Sequence, residues 1–239
     1  MIKKTSIIDF HLNKNSSQPN SSPGSFSKQE NAKVLGVHID FQLTFNPHIT
    51  ALSKKLASSC FLLLSLKHKV SKSTLRRVYF ANFHTHLNYG ICFWGSGDCS
   101  RVFKQQKSAI RILNGKERDE NRRLISCREL FKSLDILTLP SLYIFELIKF
   151  VVKNQDKFDF MSQIHNHQTR NGRLIQLKKH NKKIAERDAI YMGSKLFNTL
   201  SRESRDGSLD KTFIKKLKKF LTNKAYYSVE EFLADNIKI

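Results

Sequence analysis

The sequence has little of what a turn-rich β fold or a secreted protein requires. Its 239 residues include 9 glycines, 4 prolines and 1 tryptophan, whereas phenylalanine occurs 18 times. Scarce glycine and proline favour long helices over many short strands joined by tight turns. Residues 1–10 contain lysines and only one pair of adjacent isoleucines, so they lack the apolar stretch of a secretory signal. We therefore expect a mainly α protein that is cytoplasmic or nuclear and is not secreted.

Long uncharged apolar segments are also missing from the sequence. No stretch approaches the roughly 18 apolar residues without charge that a membrane span requires. We therefore expect no membrane partner.

Cysteine is scarce and its spacing matches no metal or redox motif. No Cys-x-x-Cys pair occurs, so the cysteines are interpreted as small buried apolar residues. A zinc site would have to combine Cys92 or Cys99 with His84 and His86, and this spacing fits no standard zinc motif. The four cysteines are Cys60, Cys92, Cys99 and Cys127.

The patterns that carry enzymatic chemistry are absent as well. Two-metal phosphoryl transfer needs clustered carboxylates, but the sequence has no Asp-Asp pair, no glycine-rich phosphate loop and no Gly-x-Ser-x-Gly motif. Asp9 and Asp40 are isolated on predicted strands, and Asp40 is interpreted as a turn or capping residue. Glu230 and Glu231 fit the start of a helix. We expect no enzymatic activity, no metal and no cofactor.

Positive charge is the dominant feature that is present. The chain has 42 Lys and Arg against 20 Asp and Glu, which gives a formal net charge of +22 and a pI near 10.0. Such an excess is typical of proteins that bind nucleic acid. An anionic membrane is a competing partner, and a lysine surface that serves only solubility is the plainer explanation.

The order of apolar and polar residues predicts a small β-hairpin followed by helices. Residues 3–12 and 33–40 are predicted strands that pair around a disordered loop at 13–31. Helical spacing of apolar residues begins at Asn46 and continues, with breaks, to the C-terminus. Residues 156–184 lose this spacing and form an irregular basic linker. Predicted helix starts after the first are Ser71, Ser126, Pro140, Ser208 and Ser228.

One pair of adjacent aromatic residues lies among glycines. Phe93 and Trp94 are followed by Gly95 and preceded by Gly90. Exposed aromatic rings of this kind can stack on a base, but the apolar neighbours favour packing in the core. Neither residue is therefore included in the predicted site.

Clustered cations supply the candidate binding residues. Contact with phosphates requires only positive side chains at suitable separation. Some flank the first pair of helices, others recur every 3 to 4 residues on one helix, and four share the outer face of a helix near the C-terminus. They are Lys67, Lys69, Lys72, Arg76, Arg77, Lys104, Lys107, Arg111, Lys215, Lys216, Lys218 and Lys219.

Short motifs follow one another in a fixed order along most of the chain. They are Val34-Leu-Gly-Val-His-Ile-Asp40, Leu43-Thr-Phe45, His48-Ile49, His86-Leu-Asn-Tyr-Gly90, Trp94-Gly95, Gln106-Lys-x-Ala-Ile-Arg111, Cys127-Arg-Glu-Leu-Phe131, Ile136-Leu-Thr-Leu-Pro-Ser-Leu-Tyr143, His167-x-Thr-Arg170, Met192-Gly-x-Lys-Leu-x-Asn198 and Phe220–Leu233. In this order they resemble the C-terminal region of jockey-like non-LTR retrotransposon reverse transcriptases, although Phe45 stands where that family usually has tryptophan.

This resemblance implies a position within a polymerase. Residues 1–45 would be a remnant of the last palm strands, and 46–155 a thumb-like helical domain that grips template and primer. Residues 156–184 would be the basic linker and 185–239 a C-terminal helical extension. The fingers, most of the palm and the Asp-Asp box that binds the catalytic metal are missing from the sequence.

Three functional hypotheses follow. The first is a non-catalytic fragment of an RNA-directed DNA polymerase that contacts the backbone of RNA, DNA or an RNA–DNA hybrid. The second is an incomplete gene model of an active reverse transcriptase. The third is a helical protein-interaction module whose lysines provide solubility. The sequence does not indicate an oligomeric state.

Overall fold

The structure of the protein is a computed structural model, and it describes residues 6–8, 10, 27–115, 126–164, 172–235, 237 and 239. Most of the predicted loop at 13–31 and the isolated Asp9 lie outside these residues. The expectation of a mainly α protein is confirmed, because helices account for most of the described chain.

The β structure differs from the predicted pairing of residues 3–12 with 33–40. The second predicted strand is itself a hairpin, in which β3 (Asn31–Val34) pairs antiparallel with β4 (Val37–Asp40). A short β1 (Ser6–Ile7) pairs in parallel with β2 (Ser27–Lys28) instead.

The turn of this hairpin consists of Leu35 and Gly36, whose φ angles are 48° and 85°. Two positive φ values in a two-residue loop match the right-handed twist of paired strands, and glycine adopts them without strain. Gly36 is therefore needed for its backbone conformation.

Twelve α-helices follow the strands along the described chain, together with short 3-10 segments at Gln155–Lys157 and Lys183–Arg187. A π-helix at Tyr79–His84 joins α2 to α3 in one uninterrupted helical run. The α-helices are α1 Asn46–Leu66, α2 Lys72–Val78, α3 Thr85–Asn88, α4 Ile91–Trp94, α5 Ser100–Asn114, α6 Cys127–Ser133, α7 Leu139–Lys153, α8 Met161–Ile164, α9 Ala189–Thr199, α10 Arg202–Asp206, α11 Lys211–Lys224 and α12 Val229–Leu233.

Side-chain caps explain where two of these helices begin. Ser71 Oγ accepts a hydrogen bond from Thr74 N at 3.2 Å at the start of α2, and Ser228 Oγ accepts one from Glu231 N at 3.2 Å at the start of α12. Both serines satisfy amide donors that a helix N-terminus leaves free. These two predicted caps are confirmed.

The predicted helix start at Ser208 is wrong, whereas the starts at Ser126 and Asn46 are confirmed in position but not as side-chain caps. The α11 N-cap is Asp210, not Ser208, since Asp210 Oδ1 accepts from Thr212 N at 2.7 Å. Ser126 stands at the N-cap of α6 but makes no capping hydrogen bond with its side chain. At the start of α1 the N-cap is Phe45 in a left-handed conformation, and Asn46 is already helical.

One continuous hydrophobic core includes both the N-terminal and the C-terminal helices. It begins at Ile49 on α1 and ends at Ile237, with Trp94, Phe131 and Phe197 among its largest fully buried side chains. Helix α7 is buried on nearly all sides and packs against α4, α9, α11 and α12. The helix predicted to start near Pro140 is therefore central to the core.

The described part of the predicted basic linker is attached to this core by a buried side chain and by hydrogen bonds. Ile175 is buried, and the side-chain amide of Asn198 binds both its backbone groups, accepting from Ile175 N at 2.9 Å and donating to Ile175 O at 2.8 Å. The described residues of this segment, 156–164 and 172–184, include α8 and are held to the core by this anchor.

Helix α1 has the length and apolar composition of a membrane span, although Lys54 and Lys55 lie within it. Core helices of soluble proteins have the same composition, and one face of α1 is packed against α5. Its opposite face leaves Phe61, Leu62 and Leu64 exposed.

Candidate nucleic-acid interface

The twelve predicted cations share one property in the structure. None of them forms an ion pair with another described residue, whereas several other cations do, including Arg128 with Glu231 and Arg202 with Asp206. Their charge is therefore not neutralised by a neighbouring carboxylate among the described residues.

Four of the cations form the outer face of α11. Phe213, Leu217 and Leu221 bury the inner face of this helix. The helical repeat leaves the intervening positions on the outside, so Lys215, Lys216, Lys218 and Lys219 are all exposed. We call these four residues the lysine face.

The lysine face influences the π-helix electrostatically. Burial, and to a lesser extent the positive charge of Lys218, lower the pKa of His84 to about 4, below its ordinary value of 6.5. The charge of one predicted cation of α11 thus acts on the helical run that carries Arg76 and Arg77.

Arg76 is occupied within the fold. Its Nε and Nη2 donate hydrogen bonds to Leu134 O at 3.3 and 3.0 Å, and its guanidinium lies 4.9 Å from the centre of the Phe80 ring. These contacts satisfy a carbonyl group at the end of α6. Arg76 therefore holds α2 against α6 and has few donors left for a ligand.

The cations of α5 differ from one another. Lys104 is exposed, whereas Lys107 is half-buried, with its Nζ 4.8 Å from the Phe103 ring centre and 5.6 Å from that of Tyr227. Arg111 is also half-buried, and its Nε has no hydrogen-bond partner among the described residues. The stripe predicted from 3-to-4-residue spacing exists, but only Lys104 extends freely into solvent.

Arg128 is a cation of this region that sequence reasoning missed. Its guanidinium lies 4.5 Å from the Tyr227 ring centre and binds both carboxylate oxygens of Glu231 at 3.1 Å. No spacing signal identified it, because its partners follow about a hundred residues later in the sequence. Its positive charge is already paired.

The remaining cations surround the start of α2. Lys67 and Lys69 lie in the turn after α1, and Lys72 and Arg77 are on α2 itself. All except the half-buried Lys67 are exposed, and none makes a side-chain hydrogen bond with a described residue.

The two adjacent aromatic residues have opposite environments. Trp94 is fully buried and its Nε1 donates to Tyr89 O at 2.8 Å, so the interpretation of Trp94 as a packing residue is confirmed. Phe93 is 60 % exposed, and the same interpretation is wrong for it. Successive helical residues differ by about 100° in direction, which places Trp94 inside and Phe93 outside.

Phe93 belongs to a group of exposed apolar side chains that we call the aromatic corner: Val34, Leu35, Tyr89 and Phe93. Tyr89 Oη donates a hydrogen bond to Leu35 O, which fastens the tip of the β3–β4 hairpin to the turn before α4. Gly90 begins α4 with a φ of 64°, and a Cβ atom there would approach Val37 Cγ2 to 3.2 Å.

A cavity of about 560 Å³ opens at the aromatic corner. Its walls come from the hairpin, from α4 and from the 3-10 segment that precedes α9, and they are almost entirely apolar. The charged residues that line it are Arg187 and Asp188. The carboxylate of Asp188 caps α9 by accepting from Ile190 N at 3.2 Å, whereas Arg187 has no ion-pair partner among the described residues.

The structural interpretation of the predicted acids is confirmed for the described residues. Asp40 is buried and accepts from Phe45 N at 2.7 Å and from Thr44 N at 3.1 Å. Glu231 accepts from Tyr227 N at 3.0 Å at the start of α12. Asp40 and Glu231 therefore hold local backbone turns together.

The cysteines and histidines show no metal site within the described residues, since no group of three metal-binding side chains occurs there. Cys127 is buried and the other three cysteines are half-buried free thiols. Burial raises the pKa of Cys60 to about 11 and that of Cys99 to about 12, so both remain protonated at neutral pH.

Comparison with known proteins finds no matching family model, no matching curated protein and no matching solved structure.

Proposed function

We propose that the protein binds RNA, DNA or an RNA–DNA hybrid through contacts with the phosphate backbone and catalyses no reaction on it. The observation that carries this proposal is a net charge of +22 combined with exposed lysines that lack ion-pair partners among the described residues. Lysines that neutralise phosphates release condensed counterions, which is the main source of sequence-independent affinity.

The lysine face is the principal contact surface in this proposal. Its four side chains extend from a helix whose inner face is packed, so they can approach a strand without disturbing the core. Lys72, Arg77 and Lys104 are exposed in the same way and extend the positive surface. Arg76, Lys107 and Arg111 contribute less, since each is partly buried against other side chains or backbone.

The ordered motifs shared with reverse transcriptases support a more specific form of the proposal. In this form the chain is a non-catalytic part of a retrotransposon polymerase, and its helices contact the template and primer. Reading the genomic sequence upstream of Met1 tests it. An in-frame Asp-Asp box there would instead favour a portion of an active enzyme.

Filter binding of the purified chain tests nucleic-acid binding itself. We expect retention of single-stranded and hybrid oligonucleotides at low salt, with affinity that falls linearly with salt on a log–log plot. Failure to retain either oligonucleotide at low salt would contradict the proposal.

A protein-interaction module is the second candidate, and the exposed face of α1 favours it. Phe61 is 73 % exposed there, and Leu64, three residues later, is 53 % exposed. Exposed apolar side chains that share a helix face often mark a protein contact. Size-exclusion chromatography distinguishes the two candidate functions, because a protein-interaction module would form a complex with another protein in the absence of nucleic acid.

A further inference from the structure

The aromatic corner exposes apolar side chains that the fold does not use. Phe93 is 60 % exposed although the adjacent Trp94 is fully buried, and Leu35 is 86 % exposed at the tip of the hairpin. Full burial of a phenylalanine contributes a substantial part of core stability. Since Phe93 forgoes most of this gain, packing does not explain its position.

The cavity beside Phe93 has the dimensions of a small-molecule site. Its volume of about 560 Å³ lies within the roughly 300–1,000 Å³ of typical ligand pockets. Tyr89, in the turn before α4, and Phe93, on α4, both line it, and Phe45 adds a third ring. Flat aromatic walls of this kind suit a planar heterocycle, which stacks on a ring face.

Charge at the cavity favours an anionic ligand. Asp188 directs its carboxylate at the amides of Ile190 and Tyr191, which it caps. Arg187 is exposed and has no ion-pair partner among the described residues. A guanidinium in this position can bind a phosphate with two parallel hydrogen bonds.

We propose that the cavity at the aromatic corner binds an unpaired base of a single-stranded nucleic acid, with Phe93 stacking on the base and Arg187 contacting its phosphate. The proposal rests on the nucleic-acid binding proposed above and adds a preference for strands whose bases are accessible. A base paired within a duplex is stacked between its neighbours and cannot enter such a cavity without being extruded.

The exposed face of α1 supplies a matched control. Phe61 is even more exposed than Phe93, but it is not among the residues that line the cavity. Replacing either phenylalanine removes an exposed ring of the same size. If Phe93→Ala changes nucleic-acid binding and Phe61→Ala does not, the change therefore cannot be attributed to the loss of an exposed aromatic ring in general.

The experiment compares two 12-nucleotide strands of equal charge, one of thymidine and one that is abasic throughout, in fluorescence anisotropy titrations. We expect the unmodified protein to bind the thymidine strand at least about tenfold more tightly, as stacking of a single base would give. Phe93→Ala should remove most of this preference and leave affinity for the abasic strand unchanged. Phe61→Ala should retain the full preference.

Three results would overturn the proposal. Equal, salt-dependent binding of both strands by the unmodified protein would show that the cavity takes no base, while backbone binding would still stand. No binding of either strand would reject both proposals. If Phe61→Ala removes the preference and Phe93→Ala does not, the base stacks on α1 instead. Sedimentation of the two variants without nucleic acid tests one more alternative. A change of oligomeric state in Phe93→Ala but not in Phe61→Ala would mean that the aromatic corner is a contact between two copies of the protein.

Discussion

The lysine face and the aromatic corner are two exposed surfaces that are built in opposite ways. The lysine face stands on a well-packed helix with an N-cap, and its four charges cost the fold little because their stems lie in solvent. The aromatic corner exposes apolar rings beside a turn in which Leu35 has a positive φ. The difference teaches that the fold offers charge at one surface, whereas at the other it offers apolar shape beside a strained backbone turn.

The largest predicted effect tests whether the aromatic corner depends on the core beneath it. Trp94→Ala should lower the free energy of unfolding by about 3–5 kcal/mol, since it removes a fully buried ring. Phe93→Ala, one residue earlier, should change it by less than about 1 kcal/mol, because its ring is mostly exposed. Urea unfolding measures both. Equal reductions in the free energy of unfolding would mean that Phe93, like Trp94, is a core residue.

A smaller effect tests the environment of His84 in the π-helix. The pKa of His84 is about 4 in the folded protein, below its ordinary value of 6.5. Below pH 6.5 the unfolded chain therefore binds a proton that the folded chain does not, and stability should fall by roughly 2.5 kcal/mol as the pH is lowered from 6.5 to 4. His84→Phe should remove this part of the pH dependence while retaining an aromatic ring beside Phe80.

Single lysine variants test whether the charge of Lys218 contributes to the lowered pKa of His84. Lys218→Gln should raise the pKa of His84 in an NMR titration, because a nearby positive charge is removed. Lys219→Gln is the control on the same helix and should leave the pKa unchanged. An identical response of the two variants would place Lys218 away from the π-helix.

The smallest effect concerns strain at the hairpin tip. Leu35→Asn should raise the free energy of unfolding by about 1 kcal/mol, because asparagine tolerates a positive φ better than leucine. Leu35→Ala removes the same exposed side chain without relieving the backbone strain, so it should not raise the free energy of unfolding. Thermal unfolding distinguishes them, and a gain from both variants would trace the effect to apolar exposure.

Local signals in the sequence predicted the parts of the fold that depend on neighbouring residues. Ser71 and Ser228 cap helices because each is followed at the right distance by a free amide. Ser208 and Asp210 both fit the pattern of an N-cap, and only the register of α11 against α7 and α6 decides between them. The turn at Leu35 escaped prediction since leucine is rare at a positive φ.

The candidate site was predicted in part. The helical repeat identified the exposed lysines of α11, since their direction follows from the apolar positions between them. It could not reveal that Arg76 binds the end of α6 or that Arg128 pairs with Glu231, because these contacts join distant segments. The environments of Phe93 and Trp94 likewise depend on which side of α4 meets the core.

The salt dependence of nucleic-acid binding tests the central claim most directly. Replacing Lys215, Lys216, Lys218 and Lys219 together by Gln removes the lysine face and leaves every buried position of α11 unchanged. The matched control replaces four exposed lysines elsewhere, namely Lys54, Lys153, Lys157 and Lys179. Both variants have the same net charge, so only the location of the removed charge differs.

We predict that the lysine-face variant lowers affinity for all sequences alike and reduces the slope of log affinity against log salt by roughly 0.7–0.9 for each phosphate that the protein no longer neutralises. The control variant should change the slope much less. Circular dichroism should be the same for both. Equal slopes for the two variants would contradict the assignment of the lysine face as the principal contact surface, and an unchanged slope in both would show that neither set of lysines contacts phosphate.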